Sequence, residues 1–483
     1  MSAYKSVRWT TLSTGVRAAL AVGQVVVLAR ILSPASFGIQ ALALTVINSM
    51  ILFTDFGLGN AVIQHRDISD RALSSLFWLN VLMGIVLGAA LFFLSPAIAH
   101  FYRKDELGPV LSTLSFAFVI LSLGQQAKAL AEKDLRFDSL ARIEILANAC
   151  GVLVAILCAL SGAEVFSLVL GYLATVTISS IGYLRIKGWR ASLLPLIEFR
   201  EITYLMHFGG RAVIVSLFNL IGAQADTIVM GRFFNTTTVG LYTQPRELTF
   251  RAMMTINPIV TRIGFPLIAR AQGNKVELSR IYLNTILFTS SVNIPLFGFV
   301  FLFARQCTAV FLGPAWSASV PYMQAIAIWC MFRSIGNPMG SLLLGTGRVN
   351  RAMLSSLFVT IAVVISAVLA AQYLGAAAIA YVLAILYVIL VPTFWVAHVK
   401  VITGLRFVQY HMTLVRPFIS TLIAGMTAFP MSMIIHNHYL SLLAGGFVFF
   451  PIYFLVSFIV NKEWVISLLK MLRMSAVLPR IVK

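Results

Sequence analysis

The chain has 483 residues, 59% hydrophobic and only 11% charged, with a formal net charge of +20 and a mean hydropathy of +0.92. Soluble domains carry roughly 25% charged residues. A chain this apolar cannot cover its own surface with polar groups, and no polar stretch is long enough to hold a separate core, so a soluble globular fold is excluded.

The N-terminal segment MSAYKSVRWTTLSTGVRAAL has Arg17 inside its apolar part and no cleavage site. The first span is therefore expected to stay in the protein. That span ends in VVVLARILSPASFGIQALAL, residues 25–44, where Arg30, Pro34 and Gly38 interrupt an apolar run that then resumes. This is the pattern of a chain that leaves lipid, turns and re-enters. Pro34 is expected to stop the first helix, and Gly38 to let the second start close by.

Further such breaks delimit spans of roughly 20 apolar residues, the length that crosses a bilayer. They fall at 9–31, 38–58, 76–98, 109–130, 144–161, 163–184, 205–230, 239–262, 281–304, 317–345, 352–371, 375–397, 415–435 and 439–460. The eighth is the most polar. The predicted fold class is an all-α polytopic membrane protein with about 14 transmembrane helices.

With the N-terminus in the cytoplasm, 26 of the 36 Lys and Arg residues fall in inner segments. Five, Arg30, Arg103, Lys104, Arg232 and Arg305, fall in outer ones. This is the asymmetry of the positive-inside rule. Both termini are thus expected to be cytoplasmic. The positive charge reflects topology and contact with anionic membrane lipids, and no nucleic-acid partner is implied. The tail NKEWVISLLKMLRMSAVLPRIVK reads as a basic amphipathic segment on the inner surface. RIKGWRASLLPLIEFREITYL, the longest inner loop, reads as a linker between halves. Cys150, Cys158, Cys307 and Cys330 lack metal or redox spacing and read as small core residues. Trp9, Trp78, Trp189, Trp316 and Trp464 lie near span ends, as an interfacial belt would place them.

The first turn has an echo. LARILSPASFGIQ from Leu28 matches MGRFFNTTTVGLY from Met230, pairing Arg30 with Arg232 and Gly38 with Gly240 at an offset of 202. SLGQQAKALAEKDLR and SIGNPMGSLLLGTGR pair Gly124 with Gly336 and Arg136 with Arg348 at an offset of 212. Two six-helix pseudo-symmetric halves, both starting inside, form a parallel repeat. The expected division is residues 1–190 and 191–400 for the two bundles, with 401–483 supplying two extra helices and the basic tail.

The Arg30–Leu32–Ser33–Pro34–Phe37–Gly38 pattern after a long first span, followed by FTDFGLGNAVIQHRDIS, resembles the polysaccharide exporters. These are the Wzx-type flippases of the multidrug/oligosaccharidyl-lipid/polysaccharide superfamily, and the colanic-acid exporter branch in particular. The resemblance is strongest over residues 8–75. It implies a transporter in the bacterial inner membrane whose cargo is a polyprenyl-pyrophosphate-linked oligosaccharide. It also implies partners in the export pathway, such as a polysaccharide polymerase.

Five basic residues remain inside spans, and all are arginine: Arg17, Arg211, Arg246, Arg251 and Arg333. A charge at the bilayer centre costs at least about 2.5–3.5 kcal/mol and normally faces a bundle interior or wet cavity. The planar guanidinium binds phosphate oxygens bidentately. These five are the expected substrate-binding residues, lining one path for an anionic headgroup. Other readings stand beside this one: Arg251 follows Glu247 at ion-pair spacing, and Arg17 and Arg211 could snorkel to the inner surface.

The intramembrane acids Asp226, Glu247 and Asp55 are the expected ion-coupling residues, for H⁺ or Na⁺. Asp226 could instead pair with a neighbouring arginine, and Asp55, in TDFG, could be structural. Pro245, Pro258, Pro266, Pro295 and Pro338 mark expected bends. HExxH, GxSxG and P-loop patterns are missing, and the seven histidines are scattered. No metal, cofactor or enzymatic activity is expected. The alternative function is a cation or multidrug antiporter of the same superfamily, whose cargo would favour acids over arginines.

Overall fold

The computed structural model describes residues 3–55, 62, 68–186, 220 and 222–470. Among these there is no strand, and twelve helices are long and apolar enough to cross a membrane. Two expected spans fall outside the twelve. The span at 317–345 is a helix, Val320–Gly345, made more polar by Gln324, Arg333 and Asn337. Most of the span at 205–230 lies outside the described residues.

The order begins with α1 (Ala3–Ile31), α2 (Pro34–Asp55), α3 (Asp70–Tyr102), α4 (Leu107–Leu114), α5 (Phe116–Lys133), α6 (Phe137–Leu160) and α7 (Val165–Leu184). It continues with α8 (Thr236–Arg270), α9 (Lys275–Leu302), α10 (Ala304–Phe311), α11 (Val320–Gly345) and α12 (Val349–Tyr373). Last come α13 (Ala376–Phe394), α14 (Phe407–Ile434) and α15 (His438–Val460). The helices overrun the apolar spans because their polar ends are capped. In α3, predicted at 76–98, the Ser69 hydroxyl accepts the Ala72 N–H at 3.1 Å, and the helix closes at Arg103 in the left-handed conformation.

The chain packs as two compact units: Met1–Thr243 with Val359–Val364, and Gln244–Phe358 with Ile365–Lys483. In the first, α6 packs on α1 and α7, and α5 on α3 and α7. Ala147, Gly151, Ala155 and Ala159 form the buried stripe of α6. Such small residues at every fourth position let membrane helix backbones approach closely. In the second unit α9 packs on α11 and α14, α11 on α13, and α14 on α15.

The first turn differs from expectation in one detail. Pro34 does not stop α1, which ends at Ile31. It is the first residue of α2, where its missing N–H costs nothing. Gly38 lies one turn inside α2 and marks a crossing. A Cβ built there would stand 2.0 Å from the Thr236 carbonyl oxygen, and one on Gly240 would stand 1.8 Å from that of Pro34. The two glycines paired by the sequence repeat meet in space.

The repeat is visible in local geometry. The Ser33 hydroxyl accepts from the Ser36 N–H at 3.4 Å, and its repeat mate Asn235 accepts from the Thr238 N–H at 2.8 Å. At the offset of 212, Arg136 and Arg348 both stand immediately before a helix, with φ/ψ of −82/46 and −92/52. Each follows a positive-φ residue, Leu135 or Gly347. Each donates its N–H five residues back, to Ala131 at 2.9 Å and to Leu343 at 2.8 Å, which closes the preceding helix in a Schellman-type turn.

The C-terminal pair α14–α15 is tied into the second unit. Phe449 and Tyr453 share a core with Leu287, Phe303 and Met323. Pro295 inside α9 frees the Ser291 carbonyl from its helical bond, and the Tyr453 hydroxyl donates to that oxygen at 2.7 Å. Trp464 and Val465, at the start of the basic tail, join the same core. The first residues of the tail are thus packed into protein, and residues 471–483 lie outside the described ones. Trp316 is fully buried, so it is a core residue and does not belong to an interfacial belt.

Candidate functional site

In the second unit, α8 and α11 bring two of the expected arginines together. Arg246 and Phe250 lie one turn apart on α8, as Trp329 and Arg333 do on α11, so each guanidinium can cover the ring beside it. The Arg246 guanidinium carbon lies 4.4 Å from the Phe250 ring centre and 5.9 Å from that of Trp329. For Arg333 the corresponding distances are 5.3 Å and 6.0 Å, with Tyr387 of α13 at 5.9 Å. Phe250 meets Trp329 edge-on at 4.9 Å. Aromatic faces offset part of the cost of holding guanidinium groups away from water, by up to about 2 kcal/mol each when desolvated.

Glu247 joins this cluster, 3.5 Å from Arg246 and 4.0 Å from Arg251. Arg246 is 3% exposed, whereas the Glu247 and Arg251 side chains are each nearly half exposed. The indole N–H of Trp329 is buried without an acceptor. Chemically, this is a set of donors suited to an anion.

The helices that carry the arginines also hold a buried polar group, shared with α9, that sequence reasoning missed. Asn257 donates to the Ser334 hydroxyl, and Asn293 donates to the Asn257 side-chain oxygen, both at 3.3 Å. Ser290 and Ser291 are also buried on α9. A usable signal was present: FTSSVNIP is a polar run inside an apolar span, and Asn257, Asn293 and Ser334 each stand one to four residues before a proline.

In the first unit, Arg17 of α1 pairs with Glu144 of α6 at 2.9 Å. Asp226 is 1% exposed and accepts a short hydrogen bond from the Tyr242 hydroxyl. Asp55 is the last residue of α2, and its side chain lies outside the described residues, as does Arg211 entirely. The structure therefore gathers Arg246, Arg251, Arg333 and Glu247 in one unit and places Arg17 and Asp226 in the other. No group of three or more metal-ligating side chains is found among the described residues.

A multi-pass helical bundle with arginines clustered among its spans defines a membrane transporter as the class to compare. The chain belongs to the polysaccharide biosynthesis protein family, matching it over residues 27–321. It is 30% identical to the teichuronic acid biosynthesis protein TuaB of Bacillus subtilis over 78% of both chains. It is 28% identical to the lipopolysaccharide biosynthesis protein WzxC of Escherichia coli, covering 85% of this chain and 84% of that one. The fold is that of the lipid II flippase MurJ in its inward closed conformation, with a TM-score of 0.77, 12% identity and coverage of 94% and 99%. An inward-facing multidrug MATE transporter also matches, with a TM-score of 0.64, 16% identity and coverage of 80% and 94%. The chain is thus a multi-pass membrane transporter of the polysaccharide export family, as the Arg30–Gly38 motif implied.

Proposed function

We propose that the protein flips a polyprenyl-pyrophosphate-linked oligosaccharide from the cytoplasmic to the outer leaflet of the bacterial inner membrane, by alternating access. The observation that carries this reading is the cluster of guanidiniums on α8 and α11: Arg246 and Arg333 lie over the Phe250 and Trp329 rings, with Arg251 further along α8 beside Glu247, and a diphosphate suits such a set of donors. Arg17 and Arg211, the other two arginines within predicted spans, complete our assignment of headgroup-binding residues. The names of TuaB, WzxC and MurJ, which point to anionic glycans and a lipid-linked precursor, agree with such a cargo. Cationic cargo would meet the wrong sign of charge, which disfavours the antiporter reading. Asp226, buried against Tyr242, is our assignment for the carboxylate that takes up the coupling H⁺ or Na⁺.

The test is reconstitution in liposomes with a fluorescent polyprenyl-pyrophosphate oligosaccharide, followed across the bilayer with and without H⁺ and Na⁺ gradients. Arg246→Ala and Arg333→Ala should each slow flipping by tenfold or more, about the 1.4 kcal/mol of one good charge-assisted contact. Undiminished rates in both variants would overturn the reading.

A further inference from the structure

Three helices of the first unit bring a side chain to one carboxylate, Glu144 of α6. Arg17 reaches it from α1 at 2.9 Å. Lys128 of α5 stands 3.9 Å from it, and also 3.9 Å from Glu132 one turn along its own helix. The Tyr183 hydroxyl of α7 donates to it at 3.3 Å. Arg142, on the same helix as Glu144, faces away over the Trp9 ring at 5.4 Å.

The exposures are ordered. The Glu144 side chain is 16% exposed, under cations that are 38% (Arg17) and 42% (Lys128) exposed. The Arg17 Nε is buried without an acceptor. A carboxylate offers two oxygens, whereas these two cations and the phenol offer more donors than two oxygens align with. The open faces of Arg17 and Lys128 remain available to a second anion.

We propose that Glu144 is an exchangeable counter-ion at the inner loading site. A diphosphate headgroup takes Arg17 and Lys128 from Glu144 when it binds, and Glu144 takes them back when the headgroup leaves. The two anions compete for one pair of cations, so Glu144 weakens binding and promotes release. This rests on the anionic-cargo reading above, and it assigns a role to a residue that a purely structural ion pair would not have. A brace and a competitor differ in sign. Removing a brace loosens the site, whereas removing a competitor tightens it.

The full-length protein in detergent is titrated with geranylgeranyl diphosphate, and flipping of the fluorescent substrate is measured in liposomes. Glu144→Gln should bind the diphosphate about tenfold more tightly and flip more slowly, because release is impaired. Equal or weaker binding in Glu144→Gln would overturn the proposal. Should that variant not fold, Lys128→Met decides: binding about tenfold weaker supports exchange, and unchanged binding overturns it. Failure of the wild-type protein to bind the probe would remove the anionic-cargo reading and this proposal together. Wild-type binding with unaltered variants would remove this proposal alone.

Discussion

Arg246 and Arg333 share the Phe250 and Trp329 rings, whose faces cushion the two guanidinium charges. Lysine keeps the charge but not the planar fork. Arg333→Lys should therefore retain the fold, with an unchanged melting temperature in detergent, yet lose at least half of the flipping rate. Asp226 poses a separate test. Tyr242→Phe strips the buried carboxylate of a donor, at a cost of about 1–3 kcal/mol, read as a lower melting temperature. Asp226→Asn in the same background should recover part of it, because a neutral amide is easier to bury. The arginines could be found in the sequence because a charge inside an apolar run stands out. Their aromatic partners could not, since Phe250, Trp329 and Tyr387 look like any other apolar residues until three helices bring them together. Glu144 was hidden for a related reason: it sits near a predicted span end, among charges read as topology.

At the scale of helices, the sharpest constraint is the crossing of Gly38 and Gly240. A methyl group on either would strike a backbone oxygen, and overpacking of this kind costs roughly 1–3 kcal/mol or more. Gly38→Ala and Gly240→Ala should each reduce the yield of folded protein, whereas Gly23→Ala and Gly340→Ala, with nothing near the added methyl, should not. Yield and elution profile of the purified variants give the comparison. The α9 bend yields a two-residue prediction. Tyr453→Phe orphans the Ser291 carbonyl and should cost about 1–2 kcal/mol. In a Pro295→Ala background the helix regains its own donor, so the same substitution should cost less, and a double-mutant cycle on thermal stability measures the difference. The hydrophobic pattern found the body of nearly every described long helix, because span length is dictated by the bilayer. The ends were misjudged because caps such as Ser69 and turns such as Leu135–Arg136 carry helix past the apolar stretch. The repeat was legible for a physical reason: capping and Schellman-type turns demand particular residues at particular offsets, and both survive in Ser33/Asn235 and Arg136/Arg348.

For the whole molecule, the charge asymmetry makes orientation testable. With both termini cytoplasmic, green fluorescent protein fused after Lys483 should fluoresce, and alkaline phosphatase at the same place should be inactive. The reverse result would invert the topology and move Arg17 to the outer side. A final consequence comes from the hydroxyl of Tyr453 resting on the bend of α9. A helix that kinks at proline leaves one carbonyl with nothing to hold it, and here the atom that holds it comes from the last described transmembrane helix. The C-terminal pair is therefore no ornament that could be trimmed to leave a working twelve-helix machine. Cutting the chain before Phe407 would leave Phe303 uncovered and the α9 kink unsupported, so a truncated protein should fail in its second unit first.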